Sequence, residues 1–239
     1  LKGKRAIYKS ELMMLDMLAQ TNWERPLYIA MTVGSDNYGN LGDHFIQEGL
    51  AYRITPFNTK KTGCNVDTNR MYHNVMDRFK FGGANKQGIY LDETVIRMCY
   101  THRRLMADLA LELVKEKKTD KALKVLQKSE AELPAYNIPH NYQGGSVKMA
   151  QAYIALNQKD SAEKILEAVG NNSKEYLAWY LSLSNHRLMQ SSSECSLHLY
   201  ILNEVSRLLS MINTEKANSY TASLNSYAEQ CIGRGINLY

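Results

Sequence analysis

Two stretches of this chain, 40 residues apart, carry apolar and small residues at matching positions. Met106, Leu109, Ala110, Leu113, Ala122 and Leu126 correspond in order to Ser146, Met149, Ala150, Tyr153, Ala162 and Leu166. The first four positions of each set follow the i, i+3, i+4, i+7 rhythm of one helix face. The last two are four apart and belong to a second helix. Each stretch therefore reads as a helical hairpin. Alanine at 110, 122, 150 and 162 allows the paired helices to cross closely, while the larger residues fill the groove between them. A hairpin of this kind buries its remaining apolar face by stacking on its neighbour, which limits the second half to antiparallel helix pairs.

The small-and-large spacing resembles the tetratricopeptide pattern. The period is longer than the usual ~34 residues, and the connection from Leu133 to Gly145, opened by Pro134, absorbs the excess. A long helix is expected from about Asp92 to Lys117. Three further helices are expected over Lys174–Met189, Glu194–Ile212 and Thr214–Gly233, with Asn213-Thr214-Glu215-Lys216 as turn and N-cap before the last. These extend the stack or close its last apolar face.

The first part of the chain has a different rhythm. Ser10 precedes a helical stripe of Met13, Met14, Met17 and Leu18, and Asn22-Trp23-Glu24-Arg25-Pro26 stops it. Leu27–Val33 reads as a buried strand and Gly34–Asn40 as a loop. Leu41–Glu48 reads as a short helix and Leu50–Ile54 as a second strand ended by Pro56. If the two strands flank that helix, a right-handed crossover makes them parallel. Met71, Val75, Met76 and Phe79 mark one more short helix before the glycines at 82, 83 and 88. The expected fold is mainly α with a small α/β N-terminal part, as two subdomains covering residues 1–90 and 91–239.

Composition narrows the functional classes. Among 239 residues, 44% are hydrophobic and 22% charged, which suits a packed chain rather than a disordered one. The longest apolar runs are too short to cross a bilayer. The net charge of +5 is too mild to mark a nucleic-acid surface, and the basic run Lys115–Lys118 with Lys121 and Lys124 is interrupted by Glu116 and Asp120. The 16 tyrosines are spread over both halves and suit helix packing and grooves rather than a base-stacking platform. Cys64, Cys99, Cys195 and Cys231 form no Cys-x-x-Cys pair, which speaks against zinc and leaves any long-range disulfide pairing open.

The most site-like local feature is the loop after the first strand, with Gly34, Ser35, Asp36, Asn37, Gly39 and Asp43. Such a loop can aim backbone N–H groups at an anion. It lacks the P-loop ending and the dinucleotide glycine spacing, and Asp36 and Asp43 repel phosphate. Asp43, His44 and Glu48 on the expected helix, and His73 with Asp77, have no third metal ligand at a recognisable spacing. His102-Arg103-Arg104 reads as a solvated basic helix face. No catalytic residue, metal ligand or cofactor site is assigned.

Several motifs in order carry a further resemblance: Asn22-Trp23-Glu24-Arg25-Pro26-Leu27-Tyr28-Ile29-Ala30, Gln47-Glu48-Gly49-Leu50-Ala51-Tyr52-Arg53, Asp67-Thr68-Asn69-Arg70-Met71-Tyr72 and Tyr90-Leu91-Asp92-Glu93. Over about residues 5–185 the chain resembles the soluble C-terminal part of a bacterial family of multi-pass membrane proteins related to protein O-mannosyltransferases. The resemblance implies a periplasmic tail of a membrane-embedded, lipid-sugar-dependent glycosyltransferase, attached to the membrane part of the same polypeptide. It agrees with a start at Leu1-Lys2-Gly3-Lys4-Arg5 without Met. The catalytic carboxylates of such enzymes lie in a membrane-region loop, so none is carried onto this chain.

The expected role is a non-catalytic helical-repeat module that binds a protein, peptide or acceptor. The alternative gives the α/β part a share in sugar-phosphate or acceptor binding through the Gly34–Asp43 loop. A third reading is a purely structural or oligomerisation element. Nucleic acid and direct membrane insertion are not expected.

Overall fold

The computed structural model describes residues 6–63 and 65–236, so Cys64 and the basic run at 1–5 lie outside the described residues. The chain divides into two units, Leu1–Lys80 and Phe81–Tyr239. The division falls ten residues before the expected boundary at 90/91, because the segment after Phe81 is fastened to the second unit. There the Tyr136 hydroxyl donates to the Asn85 carbonyl at 2.5 Å, and the Asn137 amide donates to the Ala84 and Lys86 carbonyls, both at 2.8 Å.

In the first unit, α1 (Lys9–Thr21) begins with Glu11 reaching back to accept from the Tyr8 N–H at 3.1 Å. Its stop is a pair of left-handed residues, Asn22 (φ 46°) and Trp23 (φ 64°), the second a costly conformation for a bulky side chain. Three short strands follow: β1 (Tyr28–Ala30), β2 (Phe45–Gln47) and β3 (Ala51–Ile54), in the order β1-β3-β2. Both pairings are antiparallel, with Tyr28 opposite Arg53 and Phe45 opposite Ile54.

This corrects two expectations. Residues 41–48 are not a helix, since tight 3-10 turns over Gly39–His44 lead straight into β2. Nor are the strands expected at Leu27–Val33 and Leu50–Ile54 parallel: with no helix to carry a crossover, β1 and β3 pair antiparallel. Gly49, with φ at 143°, turns β2 back onto β3, and a hairpin this short makes that pairing antiparallel as well. Beyond the sheet, α2 (Thr59–Thr62) is capped by Asn58, and the buried Thr59 hydroxyl reaches the Asp43 and Phe45 carbonyls at 3.1 and 2.8 Å. The helix α3 (Thr68–His73), capped by Asp67, runs into a wide π turn over Asn74–Arg78 and buries Met71 and Val75.

The second unit is helical: α4 (Glu93–Lys115), α5 (Thr119–Glu132), α6 (Ser146–Ala155), α7 (Lys159–Ser182), α8 (Asn185–Gln190), α9 (Ser192–Leu209) and α10 (Thr214–Gly233). The pairs α4–α5 and α6–α7 are closed by the same turn at a 40-residue offset. Lys117 (φ 62°) and Asn157 (φ 57°) are both left-handed, and the N–H groups of Lys118 and Gln158 return to the Leu113 and Tyr153 carbonyls at 2.8 and 2.9 Å. Ala110, Ala122, Ala150 and Ala162 are all fully buried. α4 also packs on α6, and Lys148 of α6 pairs at 2.5 Å with Asp108, its equivalent on α4. At this crossing Gly145 (φ 74°) lies so close that a Cβ would sit 2.6 Å from the Arg104 Cα.

Two more expectations need correction. Arg103 is not part of a solvated face; it is fully buried, and its guanidinium donates to the Leu133, Ile138 and Pro139 carbonyls at 2.8, 2.6 and 3.0 Å. Nor does a helix start at Lys174, because α7 continues unbroken through Gly170-Asn171-Asn172. Gly170 leaves room for the Tyr220 ring of α10, whose hydroxyl donates to Asn171 Oδ1 at 2.8 Å while Lys174 lies 3.9 Å over its face. The apparent break in the sequence is a docking notch.

Two measurements follow from these packings. Gly170→Ala, which ordinarily strengthens a helix by up to ~1 kcal/mol, here places a Cβ 2.4 Å from the Tyr220 ring. It is expected to lower stability by about 1–3 kcal/mol. In a Tyr220→Ala background the same exchange is expected to be neutral or stabilising, as read from urea midpoints. Arg103→Lys keeps the charge but cannot reach three carbonyls from one nitrogen. It is expected to cost on the order of 2–4 kcal/mol in the loss of helical circular dichroism with urea.

Candidate functional site

The first unit folds around one carboxylate. Glu48, in the β2–β3 turn, is buried. Its Oε2 accepts from the Tyr28 hydroxyl at 2.9 Å and its Oε1 from Arg53 Nε at 2.5 Å, while Arg70 Nη1 stands 3.3 Å from both oxygens. The Glu48 carbonyl accepts from Asn74 Nδ2 at 2.7 Å. One residue thus ties β1, β3 and α3 to the hairpin. Burial alone would raise its pKa, but the hydrogen bonds from Arg53 and Tyr28 outweigh burial and hold the carboxyl below its usual range. Tyr28 is shifted upward, by burial and by donating to Glu48.

Over this cluster opens a cleft of about 400 Å³, walled by Tyr28, Leu50, Arg70, His73, Arg78 and Phe79 with the backbone of the turn. His73 Nδ1 lies 2.6 Å from the Asp77 carboxylate, so the i, i+4 spacing serves an exposed contact between the two side chains. Arg78 has no carboxylate partner among the described residues. Arg53 and Arg70 share Glu48, and Arg70 also pairs with Asp67 at 3.6 Å, so Arg78 is the guanidinium here that stays uncompensated among the described residues.

The loop singled out in the sequence lies elsewhere. Gly34, Ser35, Asp36 and Asn37 form an exposed 3-10 turn, and Gly39 opens the next one. Asp43 makes a 3.6 Å exposed ion pair with Lys60. None of these residues lines the cleft. His44 and Glu48 fall at opposite ends of β2 rather than on one helix, and no group of three or more possible metal ligands occurs among the described residues.

The second unit has a groove of about 550 Å³ where α4, α6 and α9 meet the α5–α6 connection. Arg104, Tyr142, Gln143, Lys148, Gln151, Tyr200 and Glu204 line it, with Gly145 at its floor. The Tyr142 and Tyr200 rings meet edge to face at 6.0 Å, and the Tyr200 side chain is half exposed. Arg207 holds Glu204 from the side at 2.7 Å and keeps its carboxyl below the usual range. Arg104 has no ion pair among the described residues.

A second aromatic group stands on α7 and α9. Tyr176 stacks on His198 at 4.7 Å, and Trp179 packs against Tyr180 at 4.8 Å, with Tyr176 and Trp179 largely exposed. Burial pushes the His198 pKa down, leaving an uncharged ring in the stack. Exposed, rigid aromatics beside an adaptable set of amide and charged groups are the usual make-up of a surface that grips another chain. The alanines 110, 122, 150 and 162, by contrast, shape the helix crossings and touch no open surface.

Because the Glu48 pKa is depressed in the fold, its stabilising effect is complete above about pH 4.5, the ordinary value for such a carboxyl, and is lost as pH falls through the folded value. Glu48→Gln is expected to weaken the first unit by about 1–3 kcal/mol at neutral pH. It is also expected to flatten that acid-side dependence. Amide hydrogen exchange in β3, followed from pH 7 to pH 3, checks both.

In comparisons with known proteins, residues 1–75 match the family model of TMEM260-associated domain 2. No curated protein and no solved structure matches the chain. The matched segment contains the sheet, the Glu48 cluster and most of the cleft wall.

Proposed function

We propose that this chain is a non-catalytic binding module in which the helical pairs act as tetratricopeptide-like repeats and grip an extended segment of a protein partner. The observation that carries this reading is the groove where α4, α6 and α9 meet, with Tyr142 and Tyr200 at its wall and, beside them, Arg104, which has no ion pair among the described residues. The two equivalent hairpin turns at Lys117 and Asn157 support reading the helix pairs as repeats. The match of residues 1–75 supports placing the module in a TMEM260-like protein. The motif resemblance adds a membrane-embedded, lipid-sugar-dependent glycosyltransferase, related to protein O-mannosyltransferases and of bacterial type, as its parent. In that reading the module is periplasmic and presents an acceptor protein to the enzyme.

A second reading gives the first unit an anionic ligand. Arg78 faces the cleft without a carboxylate partner among the described residues, next to Arg70. Two guanidinium groups with Tyr28 and Phe79 suit a sugar phosphate, whose charge and apolar ring faces they complement. In this reading the anion binds in the cleft rather than at the Gly34–Asp43 loop.

Selection of a phage-displayed peptide library on the chain separates the readings. The module reading expects a convergent peptide motif whose affinity drops at least tenfold with Tyr200→Ala and is unchanged with Lys124→Ala on α5. Absence of any convergent motif sinks it. Titration with polyprenyl phosphate sugars that perturbs the protein only while Arg78 is present carries the second reading instead.

A further inference from the structure

Cys195, in the first turn of α9, and Cys231, in the last turn of α10, are both fully buried. The two helices form the last hairpin of the chain, and its register is visible nearer the loop. There Ser206 Oγ lies 2.6 Å from Thr221 Oγ1 and donates to the Ala217 carbonyl at 3.1 Å. About three helical turns further from the loop on each helix, the same register brings 195 opposite 231. Each thiol perturbs the other's pKa, as expected of sulfurs that are near neighbours at this position of the hairpin. Cys99, on α4, is also buried and lies in a different helix pair.

We propose that Cys195 and Cys231 are a disulfide-forming pair, joined when the chain folds in an oxidising environment, and that the bond clamps the open end of the α9–α10 hairpin. The reaction is thiol–disulfide exchange with a disulfide oxidant such as oxidised glutathione. One protein thiolate attacks the oxidant, releasing one reduced thiol and leaving a mixed disulfide. The second protein thiolate displaces the other half, so two cysteine thiols become one S–S bond and the oxidant becomes two thiols. Both protein thiols are shifted upward by burial, Cys195 to about 11, so little thiolate exists in the closed fold. Exchange therefore runs before α10 closes on α9, and the finished bond is shielded from reductants afterwards.

The clamp has a place to act. At the same end, the Arg234 guanidinium donates to the Leu181 and Leu183 carbonyls and to Asn185, tying the end of α10 to the α7–α8 corner. A cross-link at Cys231 holds α10 one turn before that anchor and keeps Tyr220 in its notch over Gly170.

The full chain, refolded in a mixed oxidised and reduced glutathione buffer, is denatured in N-ethylmaleimide and its peptides mapped without reduction. The expected result is a dominant cross-linked peptide joining Cys195 to Cys231, with Cys99 alkylated. Reduction of the same sample is expected to lower its melting temperature by roughly 5–10 °C. In Cys195→Ser, Cys231 is expected to be alkylated and the effect of reductant on melting to vanish. Recovery of both Cys195 and Cys231 as alkylated thiols from the refolded wild type overturns the proposal. A dominant bridge that involves Cys64 or Cys99 does so equally.

Discussion

The second unit depends on a buried cation, Arg103, that forms no ion pair among the described residues. Arg103 gives three of its N–H groups to the carbonyls of Leu133, Ile138 and Pro139, which lie at the end of α5 and in the connection to α6. Those carbonyls lie outside any helix or strand, and a buried carbonyl left without a donor is costly, so the guanidinium supplies the donors that the backbone does not. Burial lowers the Arg103 pKa only to about 10, so the charge persists at neutral pH. The neighbouring His140 responds instead: burial, with the Arg103 charge, pushes it down to about 4, and its neutral ring contacts Ser146 Oγ at 3.1 Å. A connection too long for a simple repeat turn is thereby made rigid.

What could be read from residues and what could not divides along physical lines. Helix periodicity is a local property of i, i+3 and i+4 neighbours, and the stripes through Met106–Leu113 and Met149–Tyr153 sit in the core as their spacing demands. The Asn213 cap is equally local, since its Oδ1 accepts from the Lys216 N–H at 3.1 Å. Failures occur where a distant partner decides. Nothing near Arg103 announces that carbonyls 30 and more residues away will surround it. Nothing near Gly170 announces the ring of Tyr220. In both cases a residue that looks like a solvent or loop residue is chosen by the surface that packs on it.

The first unit shows the same logic in a sheet. Phe45-Ile46-Gln47 is too short a run to distinguish strand from helix by rhythm, and the deciding residue is Gly49, whose φ of 143° is closed to other side chains. Gly49 also has to lack a Cβ because the Phe79 ring approaches to 3.3 Å of where one would be. Once the turn forms, Glu48 points back under it and gathers Tyr28, Arg53 and Arg70. The four residues come from three motifs, Glu48 and Arg53 from the same one, that the resemblance groups only by order in the chain. Their common carboxylate is the physical reason for grouping them. The Gly34–Asp43 loop, richer in turn residues, is simply where the chain crosses the surface between β1 and β2.

The core and the open groove of the second unit meet at two adjacent residues. Arg103 and Arg104 are successive on α4, and one helical step of ~100° separates their side chains. Arg103 turns inward and fixes the connection at Leu133, Ile138 and Pro139, while Arg104 lies in the groove with Tyr142, which the same connection supplies. Between them the glycines at 144 and 145 leave no room for side chains, so the connection is pressed against Tyr100 and Arg104. The Asn141 side chain closes this turn by accepting from the Gly144 N–H at 2.6 Å. Tyr142 is therefore presented by a segment anchored on one side by a buried cation and seated on the other by direct backbone contact. An aromatic wall held this way loses little conformational entropy when a partner settles on it. The residues that lengthen the α5–α6 connection are the ones that shape the groove.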